Sequence, residues 1–397
     1  MAAGSATRSE TVRVRNRAEL ERDDPSGKRA LALDLIELGL AAVDPHAATV
    51  AAIERLVRGG ERLDGALVIA FGKAAREMAE GASSVMRPRG GVVIGFEDGE
   101  VGPLRGLASS HPVPTERSVA AGEAALAIAA AAGEGDVVLC LVSGGGSAML
   151  EAPADGVSLA ELREETERLL ASGAPIEHVN AARRRLSRIK GGRLAEAIAP
   201  ARVVNVVLSD VPGSGPEVVA SGPTMPPPGV AVHVVTEVAG DNLTARRAMV
   251  EAARGLGLRV VDREGFARGE AREVGARFHV ECAARGDAEV VVWGGETTVR
   301  VRGDGVGGRN QELALGAAAV FVGGLLASAG TDGIDGTSDA AGALLDAAVL
   351  AAARARGLDP ADHLARNDAD AFFRGTNGRI VTGRTGTNVA DVCVWVR

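Results

Sequence analysis

The sequence is poor in aromatic residues, lysine and cysteine. Aromatic side chains make up 2% of the 397 residues, and tyrosine is absent. Proteins that bind nucleic acid through stacked bases need aromatic platforms and a basic surface, whereas this chain carries a formal net charge of −8. The composition therefore argues against a nucleic-acid partner.

Cysteine spacing and the lack of long apolar runs indicate where the protein works. Cys140, Cys282 and Cys393 are too far apart for a disulfide framework or a metal-ligand pair, which is typical of a reducing compartment. No apolar run approaches the roughly 20 residues that span a bilayer, and the N-terminus lacks the apolar stretch of a signal peptide. We therefore expect a cytoplasmic monomer or homodimer with no membrane partner.

Lysine is rare among the basic residues. Only Lys28, Lys73 and Lys190 occur among 44 lysines and arginines. The abundance of Ala, Gly and Arg indicates a GC-rich coding bias, which replaces surface lysines with arginines. A lysine kept against that bias is a candidate for a role that needs a compact point charge. Since Lys28 lies in a charged leader, Lys73 and Lys190 are the candidates.

Short apolar runs alternate with helical patterns along most of the chain. Continuous runs such as 66–71 and 137–142 are typical of strands buried on both faces. Residues 298–302 instead alternate apolar and charged side chains, as in a half-exposed antiparallel strand. The sequence predicts an α/β fold with two α/β domains. The first is a doubly wound, mainly parallel, Rossmann-like α/β/α sheet, and the second is smaller with a mixed sheet.

Composition also suggests the domain limits. The proline run within 225–229 is typical of a linker. We expect a flexible leader over residues 1–28, an N-terminal domain over 29–235 and a C-terminal domain over 236–397. The apolar spacing over 176–198 predicts one helix.

Predicted strands end in small or charged turns, and the carboxyl ends of parallel strands are where ligands bind. Lys73 follows the strand over 66–71 and precedes a helix, where unpaired N–H groups already make the field positive. A cation is favourable there when an anion is bound, and the alternative is a lysine that extends to solvent. Asp210 follows another strand, where it can hold Mg²⁺, orient a hydroxyl or cap a helix.

A second turn is rich in glycine. The segment Ser143-Gly144-Gly145-Gly146-Ser147 follows the strand over 137–142, so its N–H groups can form a concave anion site or merely a tight turn. Farther along, polar and basic residues recur at helical spacing and give either a ligand-binding face or ordinary solvated surface. These residues are Asn180, Arg184, Ser187 and Lys190.

The C-terminal half contains further candidates. Residues 303–308 match G-x-G-x-x-G, but the preceding alternating segment does not resemble the buried first strand of a dinucleotide fold. Arg309 and Asn310 can still bind a phosphate, because a guanidinium grips its oxygens in pairs. Asp332 and Asp335, flanked by glycines, can hold a divalent ion or form Asx turns. Backbone donors, cations and carboxylates are together the groups that phosphoryl transfer needs.

These motifs resemble those of the class II glycerate 2-kinases, in family order from about residue 30 to the C-terminus. The matching N-terminal segments are Ala70–Ala74, Ser143–Ala148, Asn180–Gly192 and Leu208–Pro223. The segments that look like the family's MOFRL-type C-terminal domain are Gly294–Glu296, Gly307–Glu312, Gly330–Gly336 and Thr385–Val389.

The resemblance implies an ATP- and Mg²⁺-dependent kinase that phosphorylates D-glycerate at its 2-hydroxyl in a cleft between the two domains. It implies catalytic roles for Lys73 and Arg309. We expect Asp210 to be the third catalytic residue, and Asp210 or Asp332 to orient Mg²⁺ or the attacking hydroxyl. The residues expected to bind substrate or nucleotide are Ser143, Gly144, Gly145, Gly146, Ser147, Asn180, Arg184, Lys190, Glu296, Asn310, Thr387 and Asn388.

One stretch departs from the family pattern. Members usually have an acidic residue soon after Ser-Asp-Val, but this chain has Gly213-Ser214-Gly215, and the next acid is Glu217. A protein that binds a hydroxy acid or nucleotide without catalysis therefore stays open as an alternative. Because some members carry the name hydroxypyruvate reductase, an NAD(P)H-dependent reductase is the other alternative.

Overall fold

The computed structural model describes residues 13–22, 24–171, 176–227 and 229–397. These residues form two compact units. The N-terminal unit comprises Ala42–Asn242 and Gly386–Val389. The C-terminal unit comprises the described part of Met1–Ala41 together with Leu243–Thr385 and Ala390–Arg397.

Helices and strands alternate along much of the chain. The helices are α1 (Arg17–Glu21), α2 (Lys28–Ala42), α3 (Pro45–Arg58), α4 (Ala75–Val85), α5 (Glu116–Ala131), α6 (Gly146–Met149), α7 (Leu159–Ala171), α8 (Ile176–Leu186), α9 (Arg193–Ile198), α10 (Asn242–Gly255), α11 (Ala271–Ala284), α12 (Arg309–Gly316), α13 (Ala347–Arg356), α14 (Pro360–Ala365) and α15 (Ala369–Thr376), with 3₁₀ turns at Pro216–Ser221 and Ala317–Val320. The strands are β1 (Leu67–Phe71), β2 (Gly90–Gly95), β3 (Gly99–Val101), β4 (Leu104–Ala108), β5 (Val137–Ser143), β6 (Arg202–Leu208), β7 (Val234–Gly240), β8 (Val260–Asp262), β9 (Val290–Gly295), β10 (Leu325–Gly330), β11 (Gly342–Leu345), β12 (Arg379–Ile380) and β13 (Asp391–Val396).

The N-terminal unit is built on one seven-stranded sheet of order β3-β4-β2-β1-β5-β6-β7. Neighbouring strands are parallel except for β3 and β4. Alternate residues of β1 (Leu67, Ile69 and Phe71) pack in one core with the alanines of α5 and with α9. Helices α3 and α4 contact the same sheet without contributing to that core. The predicted doubly wound, mainly parallel sheet is therefore confirmed.

The C-terminal unit contains a six-stranded sheet of order β12-β11-β10-β13-β9-β8. Among its described strand pairs, β8 and β9 are parallel and the others are antiparallel. A mixed sheet is thus confirmed, but the strand predicted over 298–302 is wrong. That segment forms a single bridge, between Thr298 and Glu270, and Val301 is 74% exposed, so the alternating residues do not form a strand with one buried face.

The single helix predicted over 176–198 is also wrong. Residues 172–175, which precede it, lie outside the described chain. Helix α8 ends at Leu186 and α9 begins at Arg193. Ser187 forms a bridge with Pro153, and Gly191 and Gly192 have positive φ, which a right-handed helix cannot accommodate. Lys190 therefore does not share a helical face with Arg184.

The proline-rich segment joins two strands of the same sheet. Strand β7 follows it and pairs with β6, so residues 225–227 and 229 lie within the N-terminal unit. Pro228 is outside the described residues. The domain limit expected at residue 235 falls inside β7, and the described units change after Asn242.

Part of the expected flexible leader is helical. Residues 1–12 and 23 lie outside the described chain, but α1 buries Leu20 completely and Arg17 forms an ion pair with Glu37 of α2 (2.6 Å). The expectation of a flexible leader is corrected for this segment.

No single helix in the described ranges is long and apolar enough to cross a membrane. Helices α2 and α3 reach that length and composition only as a pair with a break between them.

A buried ion pair holds α2 within the C-terminal unit. Arg29 is 2% exposed, and its guanidinium donates to both carboxylate oxygens of Asp346 (2.7 and 2.9 Å) and to the Leu20 carbonyl (2.9 Å). Asp346 also accepts the N–H of Val349 at the start of α13 (2.9 Å). This pair joins positions 317 residues apart.

We expect Arg29→Met to lower the free energy of unfolding by about 3 kcal/mol, because it leaves a largely buried carboxylate without its cation. Arg22, an exposed arginine of the same region, provides the control, and Arg22→Met should change stability by less than about 0.5 kcal/mol. Urea unfolding followed by circular dichroism measures both. Equal midpoints for the two variants would contradict this role.

Candidate active site

The turns after β1 and β5 meet at the middle of the first sheet. The two strands are parallel neighbours, with Phe71 opposite Val142. The strand that follows β1 along the chain lies toward one edge of the sheet, and the strand that follows β5 lies toward the other edge. The Lys73 N–H donates to the Gly144 carbonyl (2.9 Å), and the Ala74 N–H donates to Ser143 Oγ (3.1 Å). The structure therefore joins the predicted lysine turn and the predicted glycine loop, Ser143–Ser147, in one place.

This junction leaves no room for side chains at two glycines. A β-carbon built on Gly72, whose φ is +116°, would lie 2.3 Å from Ser143 Oγ. One built on Gly144 would lie 1.9 Å from an Asp210 carboxylate oxygen. Asp210, which follows β6, is thus packed directly against the glycine loop, as expected for a carboxylate at the end of a neighbouring strand.

The side chains of Lys73 and His111 both lie beside Gly145. A β-carbon at Gly145 would be 2.9 Å from Lys73 Cγ and 3.2 Å from His111 Cδ2. Burial, and then the positive charge of Lys73, lower the pKa of His111 below its ordinary value. Both effects favour the neutral imidazole. His111 is not among the residues that the sequence motifs point to, because no partner motif accompanies it in the sequence.

The last residue of the glycine loop, Ser147, pairs with a second serine hydroxyl. Ser147 Oγ lies 2.9 Å from Ser221 Oγ. Ser221 is held with a positive φ of 65°, next to Ala220, whose φ is 53°. Non-glycine residues rarely adopt this conformation, and strained backbone of this kind clusters at functional sites. No spacing rule pairs Ser147 with Ser221, which are 74 residues apart.

Lys190 does not reach the open side of the glycine loop. Its side chain is completely buried, and its ammonium donates to carbonyl oxygens of α6 and of Leu150, which ends that helix. The expectation that it contacts substrate directly is therefore corrected. Arg184 is exposed and its side chain lies along Gly191, while the described side chains do not include that of Asn180.

In the C-terminal unit, Arg309 is the first residue of α12. Its guanidinium donates in bidentate fashion to Asp391 (2.6 and 3.0 Å) and forms an ion pair with Glu296 (2.9 Å). Although burial opposes the charge, the Asp391 carboxylate and then Glu296 raise the pKa of Arg309. Asn310 donates to the same Asp391 carboxylate (3.0 Å) and accepts from Ser328 Oγ (2.6 Å).

Asp335 caps α12 from a distant loop. Its two carboxylate oxygens accept the backbone N–H groups of Asn310 (3.0 Å) and Gln311 (2.8 Å). Burial raises the pKa of Asp335 to about 7 even though these N–H groups favour the charged form. Of the two aspartates considered for a divalent ion, Asp335 is thus occupied by the helix. Its neighbour Asp332 is half-buried, and one carboxylate oxygen accepts the Ile334 N–H (3.1 Å).

Two predicted binding residues belong to the N-terminal unit although they lie near the C-terminus. The Thr387 hydroxyl donates to the Val43 carbonyl (2.6 Å), and Thr387 is 3% exposed. Asn388, next to it, is half-buried. Thr387 thus anchors the segment Gly386–Val389 within the N-terminal unit. This structural role accounts for the threonine without a contact between its hydroxyl and a ligand.

Among the described residues, no group of three or more His, Cys, Asp or Glu side chains can hold a metal ion. The two carboxylates expected to bind Mg²⁺, Asp210 and Asp332, belong to different units. Since Mg²⁺ usually keeps several waters and takes one or two carboxylates together with substrate phosphates, single carboxylates of this kind fit the ion.

The charge of Lys73 should be measurable at His111. We expect Lys73→Met to raise the pKa of His111, because it removes the cation that repels a proton from the ring. NMR titration of labelled histidine measures the change, and His111→Gln identifies its signal among the six histidines. Lys28→Met is the matched control and should leave the titration unchanged. An unaltered or lowered pKa in Lys73→Met would place the ammonium away from the ring.

Comparison with known proteins identifies the family. Residues 31–252 match a domain of unknown function, DUF4147, and residues 289–391 match the MOFRL family. A D-glycerate 2-kinase of Thermotoga maritima is 35% identical, over 94% of this chain and 99% of its own. A putative hydroxypyruvate reductase of Agrobacterium vitis is 38% identical, over 82% of this chain and 97% of its own. The crystal structure of a Thermotoga maritima glycerate kinase matches with a TM-score of 0.87 at 34% identity, covering 94% of this chain and 100% of that one. The chain therefore belongs to the MOFRL-containing glycerate kinase family.

Proposed function

We propose that this protein is a glycerate 2-kinase, which transfers the γ-phosphoryl group of ATP to the 2-hydroxyl of D-glycerate and releases 2-phosphoglycerate and ADP. The observation that carries the proposal is the lysine turn packed against the glycine loop at the centre of a parallel sheet. That geometry gives a locally cationic, donor-rich site in an acidic protein. The kinases among its relatives support the same reaction.

The glycine loop is proposed to bind an anionic group, either the carboxylate of glycerate or the transferring phosphoryl group. Helix α6 starts at Gly146, so the first N–H groups of this helix have no carbonyl acceptor within it. The Lys73 ammonium lies beside this loop and adds a mobile positive charge. Ser143, Gly144, Gly145, Gly146 and Ser147 thus keep the binding role that the sequence suggested, as a proposal.

Arg309 is proposed to bind phosphate oxygens, with Asn310 beside it. The bidentate pair with buried Asp391 fixes the guanidinium, whereas the Glu296 side chain is 50% exposed and its ion pair is weak. A phosphate can therefore replace Glu296 without displacing Asp391. Glu296 is then the carboxylate that pairs with the Arg309 guanidinium while no phosphate is bound.

Phosphoryl transfer breaks the bond from the γ-phosphorus to the ADP oxygen and forms a bond to the 2-hydroxyl oxygen. The proton of that hydroxyl must leave, and Asp210, packed on the glycine loop, is the proposed acceptor. Lys73 and Arg309 are proposed to neutralise charge on the phosphoryl oxygens. Arg184, Thr387 and Asn388 stay proposals for binding substrate or nucleotide.

We also propose that the reaction uses Mg²⁺. Asp210 or Asp332 would hold it, and the ion would neutralise phosphate charge when bound. The chain has no acidic residue at Ser214, but the Glu217 carboxylate lies near that position. One of its oxygens would be 2.2 Å from a β-carbon built on Gly215. This contact weakens the case for a non-catalytic binding protein.

The reductase alternative has one observation in its favour, the name of the Agrobacterium relative. The G-x-G-x-x-G loop at 303–308 does not support it, because β9 ends at Gly295 and the residues between form no strand. A cytoplasmic location is proposed from the three cysteines, which are buried and free of disulfides.

Phosphorus NMR of the product tests the function directly. We expect ATP, Mg²⁺ and D-glycerate to give ADP and a phosphomonoester whose phosphorus couples to the proton on carbon 2. Coupling to the carbon-3 methylene protons would place the phosphate at the wrong oxygen. Oxidation of NADH by hydroxypyruvate without ATP would establish the reductase instead.

Lys73→Ala should lower kcat by roughly 10²–10³-fold, the usual cost of removing one group that stabilises a transition-state charge. Lys28→Ala provides a control at another of the three lysines and should keep full activity. Steady-state assays of both variants, with melting curves to show that they fold, make the comparison. Equal turnover in the two variants would remove Lys73 from the site.

A further inference from the structure

Lys190 is a lysine with no solvent exposure. Its ammonium donates to three backbone carbonyls of one short segment: Gly146 (3.4 Å), Ser147 (2.9 Å) and Leu150 (2.6 Å). These carbonyls belong to α6 and to the residue that ends it. All three donors of the ammonium are therefore used by the helix that carries the glycine loop.

Keeping a cation in this place is unfavourable for stability alone. Burial lowers the pKa of Lys190 to about 8, and Arg183 acts in the same direction, although the Glu151 carboxylate opposes both. Glu151 is 1% exposed, and its nearer oxygen to the ammonium is 3.9 Å away. A well-packed apolar pair of the same volume is often at least as stable as a buried ion pair. The charge is thus better explained by what it does to α6.

Helix α6 cannot hold its own shape. It has four residues, far fewer than an isolated helix needs, and its last carbonyls have no helical donors. Lys190 supplies donors to carbonyls at both ends of the segment, at Gly146 and at Leu150. The Ser147 N–H lies in the same peptide plane as the Gly146 carbonyl, and the Ala148 N–H in the same plane as the Ser147 carbonyl, so these hydrogen bonds also set the direction of those two N–H groups.

The loop that carries Lys190 also holds the other wall of the site. The Gly191 N–H donates to the Ser221 carbonyl (3.0 Å), and the Gly192 N–H donates to the Gly222 carbonyl (2.7 Å). Ser221 is the residue whose hydroxyl meets Ser147. One loop, residues 187–192, therefore fixes both sides of the hydroxyl pair.

Glu151 is itself held by this loop. Ser187 Oγ donates to a Glu151 carboxylate oxygen (2.5 Å), which also accepts the Ala152 N–H (3.0 Å). The carboxylate is thereby fixed opposite the ammonium. Lys190, Glu151 and Ser187 form a buried polar unit, which we call the α6 support.

We propose that Lys190 is a positioning residue for the anion-binding glycine loop: it orients the N–H groups of α6 from beneath and adds a fixed positive charge there. It touches neither substrate nor nucleotide. The proposal rests on the proposed function in that the loop must bind D-glycerate or ATP, but not on phosphoryl transfer itself.

Lys190→Met tests the proposal, and Ile189→Ala is its matched control. Ile189 is the adjacent buried residue and packs toward Gly122, so its truncation destabilises the same loop without removing a bond to α6. Calorimetry with D-glycerate and with ATP gives Kd and stoichiometry for each variant, well below its melting temperature. A merely misfolded fraction lowers the stoichiometry and leaves Kd unchanged.

We expect Lys190→Met to raise Kd for at least one of the two ligands by about tenfold or more relative to Ile189→Ala, with stoichiometry kept. kcat/KM should fall by a similar factor. A smaller change for both ligands would show that Lys190 only fills space, and would overturn the proposal.

If Lys190→Met does not fold, because Glu151 is left buried without its cation, the double variant Lys190→Met with Glu151→Gln is decided by the same criterion. A wild-type protein that binds the ligands without turnover would disprove the kinase and leave the positioning role to be judged by Kd. A wild-type protein that binds neither D-glycerate nor ATP would disprove both.

Discussion

The close packing of two turns at the centre of the first sheet is the constraint on which the candidate site depends. The turn after β1 can lie against the end of β5 only because Gly72 has no side chain at the point where it meets Ser143. This contact places the Lys73 side chain beside Gly145 and leaves Asp210 packed against Gly144. A parallel sheet offers this arrangement only where chains leave two neighbouring strands in opposite directions, and β1 and β5 are such a pair.

The three cations considered for the proposed function, two in the N-terminal unit and one in the C-terminal unit, are held in three physical states. Lys73 is half-buried and lies on the open side of the loop, where its charge can follow a ligand. Lys190 is sealed beneath the loop with every donor occupied. Arg309 is clamped by one buried carboxylate and loosely paired with an exposed one. The overall acidity of the chain says little about such local fields, because burial and geometry determine how strongly each charge acts.

Local pattern was sufficient for much of the fold and for part of the site. Continuous apolar runs located β1 and β5, and the turns that follow them could be placed together because parallel strands end at one edge. The strand predicted over residues 298–302 is wrong, because alternating apolar and charged residues form a strand only when a core covers the apolar face. Val301 has no such cover and is exposed. The break after Leu186 was missed because apolar spacing continues across it. No spacing rule connects Arg309 with Asp391, 82 residues away, or Lys190 with Leu150, since these contacts exist only after the chain has folded.

The segment Gly386–Val389 belongs to the N-terminal unit, while the residues on either side of it belong to the other. Its contacts are made with the first and last parts of its own unit, through the Val43 carbonyl and the Asn242 amide, which donates to the Val389 carbonyl (2.9 Å). The chain thus passes between the units four times, at 41/42, 242/243, 385/386 and 389/390. Neither unit is a continuous stretch of sequence, so a gene cut after residue 242 would separate each unit from part of its own polypeptide.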